Sequence, residues 1–194
     1  GGEAIMTTDT HERATDRTAE AVVKIEKQKG KQIDIVAMLQ GDEPMITPKM
    51  IESAIDPVIK NYKINISNLM GKIIDSNEFV NDDVVKVVID KEGYALYFSR
   101  ESIPSRAKYT GQITMWKQLG LIVFRKKALL GYSRLEPTHL EKIESVDMNR
   151  LIENGKEIKM VSTNFETIGV DTELDLQEAK ARLKKDPLVN EYLL

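Results

Sequence analysis

Cysteine is absent from this 194-residue chain, which excludes disulfides and thiolate-bound metals. No secretory or membrane-spanning segment is present either, so the default expectation is a cytoplasmic protein with no membrane partner. An excess of positive charge is also lacking. At a net charge of −3 the chain gives no electrostatic reason to expect nucleic acid. Internal repeats, low-complexity tracts and linkers are missing, which argues against an array or a string of modules. What is there is ordinary globular material, 41% hydrophobic and 30% charged. That length buries a real core, and residues 1–194 read as one domain.

Strand-like and helix-like segments alternate along the chain. Gly1-Gly2 opens it without an initiator methionine and reads like the middle of a loop. Asp16–Lys29 is amphipathic, with Ala19, Val22, Val23 and Ile25 as its apolar stripe and Gly30 as its stop. Ile33–Leu39 is an apolar run of strand length. Thr47-Pro48, a cap followed by proline at the first helical position, opens a helix to about Asn61. Ile64–Met70 is a strand, and Val84–Asp90 with Tyr94–Ser99 form a hairpin around Lys91-Glu92-Gly93. A further strand lies within Gly111–Phe124, followed by a short basic helix at Lys126–Ser133. Pro137–Asn154 reads as one helix closed by Gly155. Strands at Glu157–Thr163 and Ile168–Asp171 and a helix at Thr172–Lys185 complete the chain. The pattern predicts an α/β fold, a mostly parallel sheet carrying an antiparallel hairpin.

Two corners attract chemistry. Leu39-Gln40-Gly41-Asp42-Glu43-Pro44 follows the first apolar run, and Gly41 and Pro44 turn the chain there. Asp42 is thereby placed at the carboxyl end of a strand, the edge where open α/β sheets bind ligands. Ile168-Gly169-Val170-Asp171-Thr172 repeats the arrangement. Each acid has a plain alternative, a turn or a helix cap. Converging at one sheet edge, the two suit Mg²⁺, which takes one or two carboxylates plus phosphate oxygens.

A third clue lies in Pro137–Asn154. Leu140, Ile143 and Leu151 define its apolar stripe, Asp147 falls near the middle and Glu144 at the edge. A carboxylate there needs a partner, either Arg150 or a polar ligand. Glu141 and Glu144 as a pair read as a solvated face.

These segments are together similar to the CMP-KDO synthetases (3-deoxy-manno-octulosonate cytidylyltransferases) and, more distantly, to the CMP-sialate synthetases. The likeness runs through Gly1-Gly2-Glu3, Met6-Thr7, His11–Arg17, Gln40-Gly-Asp-Glu-Pro44, Val85-Lys-Val-Val and Gly93-Tyr-Ala-Leu-Tyr-Phe-Ser-Arg100. It continues through Leu119-Gly120, Leu140-Glu141, Glu144, Arg150 and Gly169-Val-Asp-Thr172. The resemblance implies a Rossmann-like nucleotidyltransferase fold that dimerises around the hairpin. It implies that the anomeric hydroxyl of an acidic sugar attacks the α-phosphate of CTP, giving a CMP-sugar and pyrophosphate. Such enzymes serve cell-surface polysaccharide or lipopolysaccharide synthesis. It implies roles: Asp42 and Asp171 as Mg²⁺ ligands, Gln40 beside the sugar and phosphate, and Thr15-Asp16-Arg17 with His11 toward the nucleotide. Arg100, Gln118, Glu144 and Asp147 then face the sugar.

The chain departs from that pattern in three places. It carries no counterpart of the family's glycine- and arginine-containing phosphate loop, so the chain as written is not expected to turn over alone. Gln118 replaces a histidine, Ile122 a tyrosine, and Asp147-Met-Asn-Arg150 a Glu-Gln-Leu-Arg block. Arg13 and Ala14 replace small residues beside the nucleotide corner. The altered sugar positions keep a second acceptor open, such as a nonulosonate or a phosphonate, because unmatched polar groups discriminate strongly. The missing loop keeps open a non-catalytic dimerising homologue. His139 reads as a surface residue, and Trp116 and Tyr109 as core or interface aromatics.

Overall fold

The structure, a computed structural model, describes residues 2–192. Gly1, which begins the family-like pattern, lies outside them. In chain order the elements are α1 (Ala14–Lys29), β1 (Ile35–Leu39), α2 (Pro48–Lys60), β2 (Ile66–Lys72), α3 (Ser76–Val80), β3 (Lys86–Ile89) and β4 (Ala95–Ser99). There follow β5 (Trp116–Arg125), α4 (Lys126–Tyr132), α5 (His139–Glu144), α6 (Met148–Glu153), β6 (Lys159–Thr163), α7 (Glu173–Leu183) and α8 (Pro187–Tyr192).

Six described strands form one sheet, in the order β4-β3-β5-β2-β6, with β1 also paired to β5. The β2–β6 pair is parallel, and the pairs β1–β5, β2–β5, β3–β5 and β3–β4 are antiparallel. The α/β class and the hairpin match the sequence pattern, but parallel pairing is a smaller share than that pattern predicts. The reason is β5. It spans ten residues and runs against three neighbours at once.

Strand alternation builds two cores, one on each face of the sheet. Leu119, Leu121 and Val123 of β5 meet Met50, Ala54 and Val58 of α2. Ile122 and Phe124 face the other way, against Ala19 and Val22 of α1, Leu129 and Tyr132 of α4, and Leu151 of α6. The i, i+4, i+8 spacing of Met50, Ala54 and Val58 is the one-face spacing of a helix. Thr47 caps α2, its Oγ1 accepting from the Met50 N–H at 3.4 Å, with Pro48 next. Gly30 closes α1 at φ 61°, a conformation that favours glycine. Val23, expected in the stripe of α1, is instead exposed.

The segment Pro137–Asn154 is not one helix. Ser145 sits in the left-handed region at φ 52° and separates α5 from α6. Glu144 reaches Tyr97, Ser99 and Arg100, while Asn149 reaches Phe98. On one straight helix, residues five apart point about 140° away from each other. The break lets both face the β4 side. Asn149 donates to the Phe98 carbonyl at 3.0 Å and accepts from its N–H at 3.2 Å, covering part of an edge strand. Ile143, expected inside, is consequently exposed. Residues 168–171 likewise form no regular strand, since among the described residues the one main-chain bond there runs to the turn after β1.

Candidate active site

The turn after β1 is pressed onto β5 at Gly120. The Gln40 N–H donates to the Gly120 carbonyl at 2.8 Å, and the Gly120 N–H donates to Glu43 Oε1 at 2.8 Å. A Cβ on Gly120 would stand 2.8 Å from Gln40 Oε1 and 2.9 Å from Gln40 Cβ. Only glycine lets the backbones approach this closely. The second acidic corner is tied to the same turn, because the Val170 N–H donates to the Asp42 carbonyl at 2.9 Å.

Neither aspartate is used up as a helix cap. Thr47 caps α2. At α7, Thr172 is the cap, its Oγ1 accepting from the Asp175 N–H at 3.2 Å while Asp175 Oδ2 accepts from the Thr172 N–H at 2.7 Å. Asp42 and Asp171 both line one cleft of about 880 Å³, together with Gln40, Arg100, Lys117 and Gln118. Burial pushes the Asp171 carboxyl above the ordinary aspartate range, and the charges of Asp42, Asp83 and Asp175 push it further. Glu43 is raised chiefly by burial, and its Oε2 is buried with no hydrogen-bond partner among the described residues. This concentration of negative charge is what a divalent cation relieves. Among the described residues no group of three or more acid, histidine or cysteine side chains is placed to hold a metal. A pair of carboxylates fits Mg²⁺, which fills its remaining positions with phosphate oxygens and water.

Arg100 is fixed from three sides. Its Nε donates to the Glu144 carbonyl, its Nη1 to the Asp82 carbonyl and its main-chain N–H to Glu144 Oε2, each at 2.8 Å. The Glu144 carboxylate is saturated, since Oε1 also accepts from Tyr97 Oη at 2.6 Å and Ser99 Oγ at 2.9 Å. Burial would raise its pKa, but these donors outweigh burial and hold it below the usual carboxylate value. Glu144 therefore positions Arg100 and does not itself line the cleft.

Lys86 is a residue that sequence reasoning missed. Fully buried, its Nζ donates to the carbonyls of Asn81 and Val84, both at 2.8 Å, and to that of Arg100. Burial pulls its pKa below the ordinary lysine value. It bolts the 81–84 loop to Arg100 beneath one cleft wall. The available signal was a lysine standing between Val85 and Val87 in a buried strand.

His11, Thr15, Asp16 and Arg17 gather elsewhere and do not line the cleft. His11 pairs with Glu20, whose carboxyl is held at about 2 by Lys24, His11 and Thr8. Arg17 Nη1 donates to Thr7 Oγ1 at 2.6 Å. Thr15 Oγ1 donates to Asp147 Oδ2 at 2.5 Å, which joins α1 to the start of α6. Burial raises the Asp147 carboxyl, against the pull of that hydrogen bond. Asp147, expected to face the sugar, is also absent from the cleft lining; its hydrogen-bond partner is Thr15, and not Arg150, the alternative the sequence offered. Arg150 pairs with Glu141 through two bonds of 2.7 and 2.6 Å, lies 3.5 Å from Asp16 and stacks over the Tyr132 ring at 4.2 Å. Arg13 adds a bond from Nη1 to Ser145 Oγ at 3.0 Å. Glu141 and Glu144, which looked like a solvated face, are both buried.

A solved structure of CMP:2-keto-3-deoxy-manno-octonic acid synthetase complexed with CTP superimposes with a TM-score of 0.83 at 32% identity, covering 95% of this chain and 73% of that one. The fold is that of a Rossmann-like nucleotidyltransferase. The sequence model of the family described as Cytidylyltransferase matches residues 1–158. The 3-deoxy-manno-octulosonate cytidylyltransferase of Geobacter metallireducens is 40% identical over 195 residues, covering 95% of this chain and 74% of its own. That of Chloroherpeton thalassium is 43% identical over 187 residues, covering 95% and 74%. The chain belongs to the cytidylyltransferase family.

Proposed function

We propose that this protein activates an acidic keto-sugar with CTP. The anomeric hydroxyl oxygen attacks the α-phosphorus, the bond from that phosphorus to the β-phosphate bridging oxygen breaks, and CMP-sugar and pyrophosphate leave. The hydroxyl proton passes to solvent. The observation that carries the reading is the Val170–Asp42 hydrogen bond, which joins the turn after β1 to the Asp171 corner and leaves two carboxylates that cap no helix in one cleft. The names of the relatives, 3-deoxy-manno-octulosonate cytidylyltransferases, and the CTP complex of the structural neighbour support the sugar and the nucleotide.

Asp42 and Asp171 are the residues that would hold Mg²⁺. When bound there, the ion neutralises charge on the phosphates, which is most of what phosphoryl and nucleotidyl transfer require of a protein. The chain's own groups do the positioning. Arg100, braced by Glu144, supplies a fixed cation for the sugar carboxylate. Gln40 and Gln118 supply carboxamides that line the cleft. Lys117, paired with Glu78, adds a second cation on the wall.

KDO is the acceptor the relatives favour. A different acidic acceptor is the second reading, favoured by Gln118 standing where the family carries histidine. We place the protein in the cytoplasm as a homodimer serving cell-surface polysaccharide or lipopolysaccharide synthesis. The exposed Leu96 on β4 and Tyr109 in the loop beyond it supply apolar surface for a second copy. No described helix is long and apolar enough to cross a membrane.

The test is product formation by the full-length protein with CTP, Mg²⁺ and KDO, read as pyrophosphate and as the new phosphodiester in a ³¹P spectrum. Both products are expected, and Asp42→Asn should abolish them while leaving thermal stability nearly unchanged. No product from KDO or from any other acidic keto-sugar refutes the function.

A further inference from the structure

The β2–β5 ladder is irregular at one place. Asn68 pairs with Ile122 and Met70 with Gln118. Between those pairs β2 has the single residue Leu69, whereas β5 has Leu119, Gly120 and Leu121. Bulges of this kind re-aim side chains beside active sites and leave main-chain groups unpaired. Here the bulged segment lies directly against the turn that carries Asp42.

The side chain of Asn68 fills the gap. It is fully buried, and its Nδ2 donates to the carbonyls of Leu119 at 2.9 Å, Leu121 at 3.0 Å and Leu69 at 3.1 Å. Three carbonyl oxygens around one end of a carboxamide admit only the nitrogen there, because an oxygen would face three acceptors. The other end, Oδ1, is therefore an acceptor in a fixed place. It takes the Gln118 Nε2 at 2.7 Å. The neighbour's orientation follows by the same logic. With Nε2 turned inward to Asn68, Gln118 keeps Oε1 for the cleft that it lines, and no described residue donates to that oxygen.

We propose that Asn68 is a positioning residue for acceptor recognition: by plugging the β5 bulge it fixes the Gln118 carboxamide so that Oε1 accepts a hydrogen bond from a hydroxyl of the bound sugar. The inference rests on the function proposed above and deepens it. The pair reads a donor on the substrate and disfavours an acceptor or an ether oxygen in the same place. A histidine at position 118 would meet the same Asn68 oxygen, donate to it from one ring nitrogen and show the other as an acceptor. The polarity thus belongs to Asn68, and the reach belongs to residue 118.

The experiment compares Asn68→Ala, Gln118→Met and the double variant of the full-length protein, measuring KM and kcat separately for CTP and for the sugar. Each single variant is expected to raise the KM for the sugar roughly tenfold, the worth of one hydrogen bond in a partly dry site. The KM for CTP should stay within about twofold, and the double variant should be no worse than Gln118→Met. An Asn68→Ala effect that persists undiminished in the Gln118→Met background overturns the inference, as does an equal loss toward CTP. Should Asn68→Ala fail to fold, Gln118→Met is assayed with a series of sugars, each methylated at one hydroxyl. Loss of the wild-type penalty at a single hydroxyl supports the inference, and penalties unchanged at every hydroxyl overturn it. Absence of turnover by the wild type with every acidic keto-sugar is a separate result, and refutes the function on which the pair was assigned.

Discussion

Replacing Gly120 with alanine should uncouple the Asp42 turn from β5. The backbone at Gly120 lies outside the left-handed region, so an alanine fits its torsions, and the whole effect is steric. The new methyl would meet Gln40 Oε1 at 2.8 Å, Gln40 Cβ at 2.9 Å and Glu43 Cγ at 3.0 Å. An amide oxygen at the end of a side chain can swing aside. A Cβ cannot, so the turn itself must back away, straining the two 2.8 Å bonds that hold it to β5. Overpacking of this kind costs about 1–3 kcal/mol. At roughly 2–4 °C per kcal/mol for a chain of this size, Tm should fall by about 2–12 °C. Asp42 moves with the turn, and an ångström at a reacting centre can cost on the order of a hundredfold in rate. A thermal melt and a Mg²⁺ titration of pyrophosphate release read the two effects separately. Gly131→Ala is the control, since nothing stands within 4 Å of its Cβ position, and it should be neutral or slightly stabilising. Wild-type Tm together with an unchanged Mg²⁺ requirement in Gly120→Ala refutes the reasoning.

Other consequences concern the buried carboxylates. Glu141→Gln leaves the buried Arg150 without its bidentate partner, a change worth about 3–5 kcal/mol, and should lower Tm by several degrees in a melt at neutral pH. Glu144 has a folded pKa below its ordinary 4.5, so its charged form stabilises the fold above that pH and the benefit is lost as pH falls through the lowered value. Denaturant midpoints should therefore drop on acidification below about 4.5, and less steeply in Glu144→Gln; parallel curves would contradict this.

Local signals carried much of the architecture. The Thr47-Pro48 start of α2 and the hairpin around Gly93, which sits at φ 79°, are written in turn and cap chemistry that acts over a few residues. Asp42 at the end of an apolar run was legible for the same reason. What lay hidden depends on partners distant in sequence. The break at Ser145 follows from Glu144 and Asn149 both reaching the β4 side, and helical periodicity is blind to that. Glu141 and Glu144 look like surface residues because their partners, Arg150 and Tyr97 with Ser99, are named only by the fold. Lys86 shows in the sequence only as a charge inside an apolar strand, and its carbonyl partners are supplied by the fold. Asn68 gave almost none, since a bulge is set by the register of two strands about 50 residues apart.

Asp42 and Asp171 are proposed to act jointly on one ion. Mg²⁺ dependence of pyrophosphate release in Asp42→Asn, Asp171→Asn and the double variant of the full-length protein decides whether they do. If both side chains grip the same ion, each single change should be nearly as damaging as the pair, with a strongly non-additive cycle. Losses that simply multiply, or a single variant with the wild-type Mg²⁺ curve, would show that the two carboxylates work apart.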